Sequence, residues 1–187
     1  MYIYRTLTAM RTYTFFIIVA ALLATACNLP VAKGRNGVSF KDPVEYNDYI
    51  IARQQKVAKF VSQFVDASNV SLDSANKVLE RSAKETAEFL DDISAMGAFK
   101  GDSAFRVAAV NSFTFYKRIF QEDYPKMLEI NAKGEDVTDS EIDIVTKISD
   151  RLTTEETILD RRFQKAQTEF AKKNNMRLEE GKQLTGL

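Results

Sequence analysis

The fold is decided by residues 138–175, which read TDSEIDIVTKISDRLTTEETILDRRFQKAQTEFAKKNN. The stretch opens with Thr138-Asp139-Ser140-Glu141, a capping-box sequence in which threonine and glutamate each satisfy a backbone amide of the first helical turn. Apolar side chains then recur at helical spacing, with no glycine or proline between them, at Val145, Ile148, Leu152, Leu159, Phe163, Ala166 and Phe170. The pattern predicts one helix of about 36 residues, roughly 54 Å long.

Two helices are predicted at the start of the same domain. The first begins at Asp42, with Pro43 at its first position and Glu45 completing a capping box. The second covers about residues 71–96, with Gly97 as its C-terminal stop. The apolar stripe of the first helix comprises Tyr46, Ile50, Val57, Val61 and Phe64.

A third, aromatic-rich helix is predicted to start near Asp102. Pro125 must kink or restart it, because proline lacks an amide donor and clashes with the carbonyl four residues earlier. Its rings are assigned to the core, with a partner groove or an apolar ligand pocket as the alternative: Phe113, Phe115, Tyr116, Phe120 and Tyr124. Short connections between long amphipathic helices make sequential neighbours antiparallel. The sequence therefore predicts an all-α protein, an up-down-up-down four-helix bundle over residues 42–175, followed by a polar tail at 176–187. The alternative arrangement is a tandem pair of helical hairpins.

The composition excludes several classes of function. Lys+Arg and Asp+Glu both number 26, so a nucleic-acid partner has no electrostatic support. The chain has no histidine, which excludes Ser-His-Asp and Cys-His catalytic units and a histidine-ligated haem. Its single cysteine excludes an intramolecular disulfide and a cysteine-built zinc site. We therefore expect a non-enzymatic protein with no metal site and no cofactor.

A short apolar run, FFIIVAALLA at residues 15–24, lies behind Arg11 near the N-terminus. The run is too short to span a bilayer core of about 30 Å. Its length, the preceding basic residue and the small residues after it are typical of a secretory signal. We therefore predict a signal peptide at residues 1–26, for which Met10 is an alternative start to Met1.

The run ends in Leu23-Ala24-Thr25-Ala26-Cys27, which resembles the lipobox of bacterial lipoproteins, although leucine is usual where Ala24 stands. The resemblance implies acylation of the Cys27 sulfur, cleavage before Cys27 and acylation of the new amino group. Two or more acyl chains of the palmitate type hold a protein firmly to a membrane. Residues 27–41 then comprise the lipidated cysteine and a flexible tether. The alternatives are an ordinary signal peptide that leaves Cys27 free, or an uncleaved anchor helix.

Polar residues interrupt two of the apolar stripes near the middle of their helices. Arg53 and Gln54 lie between Ile50 and Val57 in the first helix, while Glu155 and Glu156 follow Leu152 in the fourth. We predict a structural polar layer that pairs one of the glutamates with Arg53 or Gln54 and fixes the helix register. A carboxylate metal site there is the lesser alternative, because hard cations need several converging oxygens.

The domain opens with Asp42-Pro43-Val44-Glu45-Tyr46-Asn47-Asp48-Tyr49-Ile50 behind the tether. With this opening and the lipobox, residues 27–175 resemble helical bacterial lipoproteins of the cell surface or periplasm, a group without an assigned biochemical role. The resemblance implies an envelope protein held by its lipid anchor, which we expect at the outer membrane, facing the periplasm. The expected function is binding or scaffolding of an envelope protein partner. The alternative is a small-ligand or metal-ion binding protein that uses the bundle interior.

Overall fold

The computed structural model describes residues 18–21, 32–34 and 38–180. This part of the chain is predominantly helical, as the sequence predicts. Its helices are α1 (Pro43–Ser68), α2 (Leu72–Ser94), α3 (Ala104–Arg118), a π-helical segment (Ile119–Asp123), α4 (Tyr124–Asn131), a 3-10 turn (Gly134–Asp136) and α5 (Asp139–Lys173). Its short strands are β1 (Ile18–Ala21), β2 (Ala32–Lys33), β3 (Ser39–Phe40) and β4 (Arg177–Glu180).

The predicted start of α1 is confirmed, although its cap differs from a capping box. The Asp42 side chain accepts a hydrogen bond of 2.6 Å from the amide of Val44, and Pro43 occupies the first turn. The α2 helix ends at Ser94, so the prediction of Gly97 as its stop was wrong. The Gly97 carbonyl instead accepts a hydrogen bond from the Tyr46 hydroxyl at 3.1 Å, which ties the end of this hairpin to the start of α1.

Pro125, which the sequence predicts to kink or restart the third helix, lies in helical backbone that is continuous from Ala104 to Asn131. A π-helical segment follows α3 directly, and α4 begins at Tyr124 with the proline in its first turn. A π segment adds a residue to the turn, and such segments are frequent at functional sites. Its last residue, Asp123, is buried, whereas the neighbouring Glu122 is exposed.

The long fourth helix of the prediction is α5, which runs for 35 residues without interruption. Its capping box is formed as predicted, since Thr138 accepts from the Glu141 amide and the Glu141 side chain accepts from the Thr138 amide. Lys133 also pairs with the Glu141 carboxylate, and these donors lower the Glu141 pKa to about 2, with the lysine contributing most.

Two short antiparallel pairings lie outside the helices. β2 pairs with β3 inside the predicted tether, and Phe40 of β3 is buried, so the packed domain begins two residues before Asp42. β1 pairs with β4, which places residues 177–180 of the predicted polar tail in a strand. Cys27 and most of the predicted signal peptide lie outside the described residues.

The helices pack around a core that is rich in aromatic rings. Between α1 and α2, Arg53 pairs with Asp92 and Lys56 with Glu85. Between α3 and α5, Phe105 packs on Phe163 with ring centroids 5.3 Å apart. Further ring pairs join α1 to the π segment, α4 and α5: Phe60–Phe120, Phe64–Tyr124 and Tyr46–Phe170. One continuous apolar core therefore connects α1, α3 and α5.

Candidate functional site

The structure places the four residues of the predicted polar layer in two different environments. Gln54 and Glu156 are buried, with 4% and 8% of their surface exposed. Arg53 and Glu155 lie at the edges of the helix interfaces, where each forms an ion pair. Each of the four has a hydrogen-bond partner outside the predicted set, so the pairing that we predicted among them is not what the described contacts show.

The buried acid of this region is Glu156, and its partner is a tyrosine on α3. The Tyr116 hydroxyl donates a hydrogen bond of 2.8 Å to Oε1 of Glu156. Burial raises the pKa of Glu156, and the tyrosine hydrogen bond opposes that rise because it stabilises the carboxylate. The pKa of Tyr116 is raised well above its ordinary value, first by its own burial and then by the nearby negative charge of Glu156.

A second acid, Asp160, lies one helical turn after Glu156 on α5. Residues four apart share a helix face, and the charge of Glu156 acts on Asp160. Burial, and after it the charge of Glu156, raises the pKa of Asp160 to about 7. The tyrosine hydrogen bond stabilises the Glu156 carboxylate, and the charge of Glu156 favours the protonated form of Asp160.

Two further buried polar pairs lie on the same interior surfaces. Nε2 of Gln54 lies 3.4 Å from the Ser112 hydroxyl, one turn before Tyr116 on α3. Near the N-terminal end of α1, the Gln167 amide of α5 donates to Asn47 at 2.9 Å. We call this group the polar seam, and its members are Asn47, Gln54, Ser112, Tyr116, Glu156, Asp160 and Gln167.

The polar seam joins three helices through α3. Ser112 and Tyr116 are one turn apart on that helix, and they contact α1 and α5 respectively. A one-residue change of register would separate a buried polar group from its partner, at a cost of about 1–3 kcal/mol for each group left unsatisfied. These contacts favour one alignment of α1, α3 and α5, and the register-fixing role of a polar layer stays a prediction.

A cluster of four charges surrounds the end of the π segment. Arg151 of α5 donates to Oδ1 of Asp123 at 2.5 Å, and Nε of Arg118 lies 3.4 Å from the other carboxylate oxygen. Glu155 pairs with Arg118 and lies 3.9 Å from Arg151. Two cations thus balance two anions, and the cluster attaches the π segment to α5.

A cation–aromatic contact lies at the α1–α2 interface. The guanidinium carbon of Arg53 lies 3.4 Å from the centroid of the Tyr49 ring, while Nη2 donates to Asp92 at 2.9 Å. Stacking and ion pairing together hold the arginine side chain against α2. The position of Arg53 is therefore explained by contacts between these two helices, away from the two glutamates.

The chemistry available in the polar seam is hydrogen bonding and proton binding by carboxylates and tyrosines. Within residues 18–21, 32–34 and 38–180, no group of three or more cysteine, aspartate or glutamate side chains is placed to hold a metal ion. In the same part of the chain, we find no helix with both the length and the apolar character needed to cross a bilayer. The two acids of the seam, Glu156 and Asp160, lie one turn apart on α5, and Tyr116 donates a hydrogen bond to Glu156.

Sequence reasoning missed Asp160, Ser112 and Tyr116 as members of the seam. The signal for Asp160 was its spacing of four residues from Glu156, but Leu159 already satisfied the apolar stripe at that turn. Tyr116 was assigned to the core for its ring, and the ring is indeed buried. The hydroxyl at its end gives no sequence pattern of its own, because its partner lies 40 residues away.

Comparison of the chain with protein-family models, with curated proteins and with solved structures finds no match in any of the three. The resemblance to helical envelope lipoproteins therefore stays a prediction from the N-terminal residues and the opening of α1.

Proposed function

We propose that this chain is a lipoprotein of the cell envelope, held to the membrane by acyl chains on Cys27. Its helical domain is an up-down-up-down four-helix bundle without catalytic activity that binds or scaffolds an envelope partner. In this proposal the protein lies at the outer membrane and faces the periplasm. Residues 1–26 are the signal peptide in this proposal.

The observation that carries the proposal is the apolar run at residues 15–24 followed by Leu23-Ala24-Thr25-Ala26-Cys27. Cys27 is the single cysteine of the chain, and it stands where the lipobox places the acylated residue. At about 0.8 kcal/mol for each buried methylene group, two or more acyl chains hold a protein firmly at a bilayer.

The contact pairs support the up-down arrangement of the bundle. In the α1–α2 and α3–α5 contacts, the residue number of the partner falls along one helix as the residue number rises along the other. Phe105–Phe163 and Tyr116–Glu156 show this order for α3 and α5. Between α1 and the chain from α3 to α4, both numbers rise together, from Gln54–Ser112 to Phe64–Tyr124. These pairs support antiparallel packing of α1 with α2 and of α3 with α5, and parallel packing of α1 with the continuous chain from α3 to α4.

The packing of the interior supports binding through the outer surface. Phenylalanine and tyrosine rings fill the centre from end to end, with neighbouring centroids about 5–6 Å apart, the usual spacing of packed aromatic pairs. A ligand pocket needs several hundred cubic ångströms of open volume lined with converging polar groups. Three pairs of polar side chains in the seam are hydrogen-bonded to each other: Tyr116–Glu156, Gln54–Ser112 and Gln167–Asn47.

The lipid anchor is tested by mass spectrometry of the protein from membrane fractions. We expect a chain that begins at Cys27 and carries acyl groups on that residue. Cys27→Ala removes both the acyl mass and membrane retention, while the neighbouring Asn28→Ala keeps both and serves as the matched control. An unmodified Cys27 in the membrane-bound wild-type protein would refute the proposal.

The scaffolding role is tested by crosslinking in intact cells, comparing the native chain with Cys27→Ala. A defined partner that is crosslinked by the anchored form, and lost from the unanchored form, supports scaffolding at the membrane. If the native chain and Cys27→Ala give the same crosslinked products, the scaffolding role at the membrane is contradicted.

The interior ligand or cation binder is the second candidate, and one observation favours it. Glu156 and Asp160 converge at one face of α5, and two carboxylates are a start for a hard-cation site. Native mass spectrometry of the purified protein distinguishes the two: a stoichiometric metal ion or small molecule that is lost in Glu156→Gln establishes the second candidate and refutes the first.

A further inference from the structure

The strand β4, Arg177–Glu180, is paired with the apolar N-terminal run. Four backbone positions are in register, Ile18 with Glu180, Val19 with Glu179, Ala20 with Leu178 and Ala21 with Arg177. The strand β1 also contacts α1. The partner that the structure gives to β4 therefore comes from the run that the proposed function removes.

Cleavage before Cys27 would take this partner away. Hydrolysis of the Ala26–Cys27 peptide bond consumes one water, leaving a carboxylate on Ala26 and an amino group on Cys27. The released peptide carries β1 with it. What remains at β4 is four residues of extended chain whose backbone N–H and C=O groups have lost their partners on one edge.

Among the described residues β1 is the one strand paired with β4, so β4 is then a lone strand whose unpaired backbone groups can hydrogen-bond to another extended segment. Peptide recognition by strand addition uses main-chain hydrogen bonds for affinity and neighbouring apolar surface for selectivity. Here the segment that occupies the edge is the apolar sequence Ile18-Val19-Ala20-Ala21, and α1 flanks it. The present occupant thus shows that β4 pairs with a short extended segment, which here has an apolar sequence.

We propose that β4 is an acceptor strand for an extended apolar peptide segment. In the uncut chain the occupant is the chain's own β1, and after cleavage it is an apolar segment of a partner protein that adds antiparallel to β4. The proposal rests on the proposed function, since the exchange requires that residues 1–26 be removed.

The first test asks whether the β1–β4 register exists in the uncut chain. In a Cys27→Ala background, Val19→Cys and Glu179→Cys place two thiols at paired positions, where antiparallel Cα atoms lie about 4.5–5.5 Å apart and can form a disulfide. The matched control combines Val19→Cys with Asp143→Cys, at the far end of the 35-residue α5. We expect mild oxidation to crosslink the paired positions at least about tenfold faster, and equal rates would overturn the proposal.

The second test asks whether the emptied edge accepts a peptide. A specific protease site replaces residues 24–26 in the purified full chain, which is cut after folding, and circular dichroism monitors that the helices persist. A fluorescent peptide of residues 17–22 with flanking lysines should bind the cut chain. Leu178→Pro removes a backbone donor from β4, and we expect it to weaken binding at least about tenfold, equivalent to roughly 1.4 kcal/mol.

The outcomes separate the alternatives. Binding to the cut chain that is lost in Leu178→Pro supports the acceptor strand. No binding overturns it, and a cut chain that dimerises through β4 instead assigns the edge to a second copy. Failure of the proposed function is seen separately, because an unacylated and uncut Cys27 in cells leaves both measurements on the purified chain unaffected.

Discussion

The buried hydroxyl of Tyr116 donates a hydrogen bond to the buried carboxyl group of Glu156. Removing the donor by Tyr116→Phe leaves a buried carboxylate without this partner, and we expect the free energy of unfolding to fall by about 1–3 kcal/mol. Urea denaturation measures it. Tyr49→Phe is the matched control, because its hydroxyl lies 3.4 Å from an Asp92 that keeps Arg53 as a partner. Equal losses in the two variants would contradict a special role for the seam.

Asp160 gives the domain a pH dependence of a definite sign. Its pKa is raised in the folded protein from 3.8 to about 7, so the folded state holds a proton that the unfolded chain has released. Its stabilising effect is full below pH 4 and is lost as pH rises towards about 7. We expect the free energy of unfolding to fall by about 2 kcal/mol over this interval, since each unit is worth about 1.4 kcal/mol and partial exposure screens the effect.

The measurement is urea denaturation at several pH values between 4 and 8. Asp160→Asn should flatten this fall, because the amide has no proton to release, whereas Asp143→Asn on the exposed face of the same helix should leave the slope unchanged. A slope that is the same in both variants would assign the pH dependence to other groups.

At the scale of elements, the π segment is attached to α5 by charged side chains. Asp123 faces Arg151 at 2.5 Å and Arg118 at 3.4 Å, and its side chain is 9% exposed. Asp123→Ala removes the anion shared by two partly exposed arginines, and we expect a loss of about 1–2 kcal/mol in thermal or urea unfolding. Glu122→Ala, one residue earlier and exposed, is the control and should change stability little. A larger effect at Glu122 would show that the cluster is not what holds this segment.

Helix starts were predicted well because their signals are local. The α5 capping box needs residues only three apart, and Pro125 marks the first turn of α4 by its own geometry, so both appear in the sequence itself. The strands β2 and β3 have two residues each, too few for a period to be recognised. β4 has four residues, which is also short. The sequence analysis therefore read the β2–β3 hairpin as a tether and β4 as part of a polar tail.

The partners in the polar seam needed information that no local pattern holds. Glu156 and Gln54 were recognised as interruptions of apolar stripes, and both are buried. Which residues they meet depends on the rotation and relative height of three helices, and α3 lies between the two, offering Tyr116 and Ser112. Reasoning from one stripe at a time paired α1 with α5 directly and missed the helix that connects them.

At the scale of the whole molecule, Phe40 extends the core beyond the first helix. Its ring is 3% exposed and makes edge contacts with Tyr46 at 5.3 Å and Tyr49 at 5.0 Å. We expect Phe40→Ala to lower the free energy of unfolding by about 3 kcal/mol, as for other buried phenylalanines. Val38→Ala, two residues earlier and 37% exposed, is the control. If both variants unfold like the parent chain, the domain begins at Asp42 as the sequence predicts.

The buried tyrosines give the folded domain a spectroscopic probe of its own. The chain has seven tyrosines and no tryptophan, so its near-ultraviolet absorbance reports on tyrosine without interference. Burial raises the pKa of Tyr46 to about 12, and it also raises the pKa of Tyr116 and Tyr124. Phenolate formation at these rings in alkali is therefore expected to accompany global unfolding, so that a single absorbance titration follows both ionisation and loss of the core.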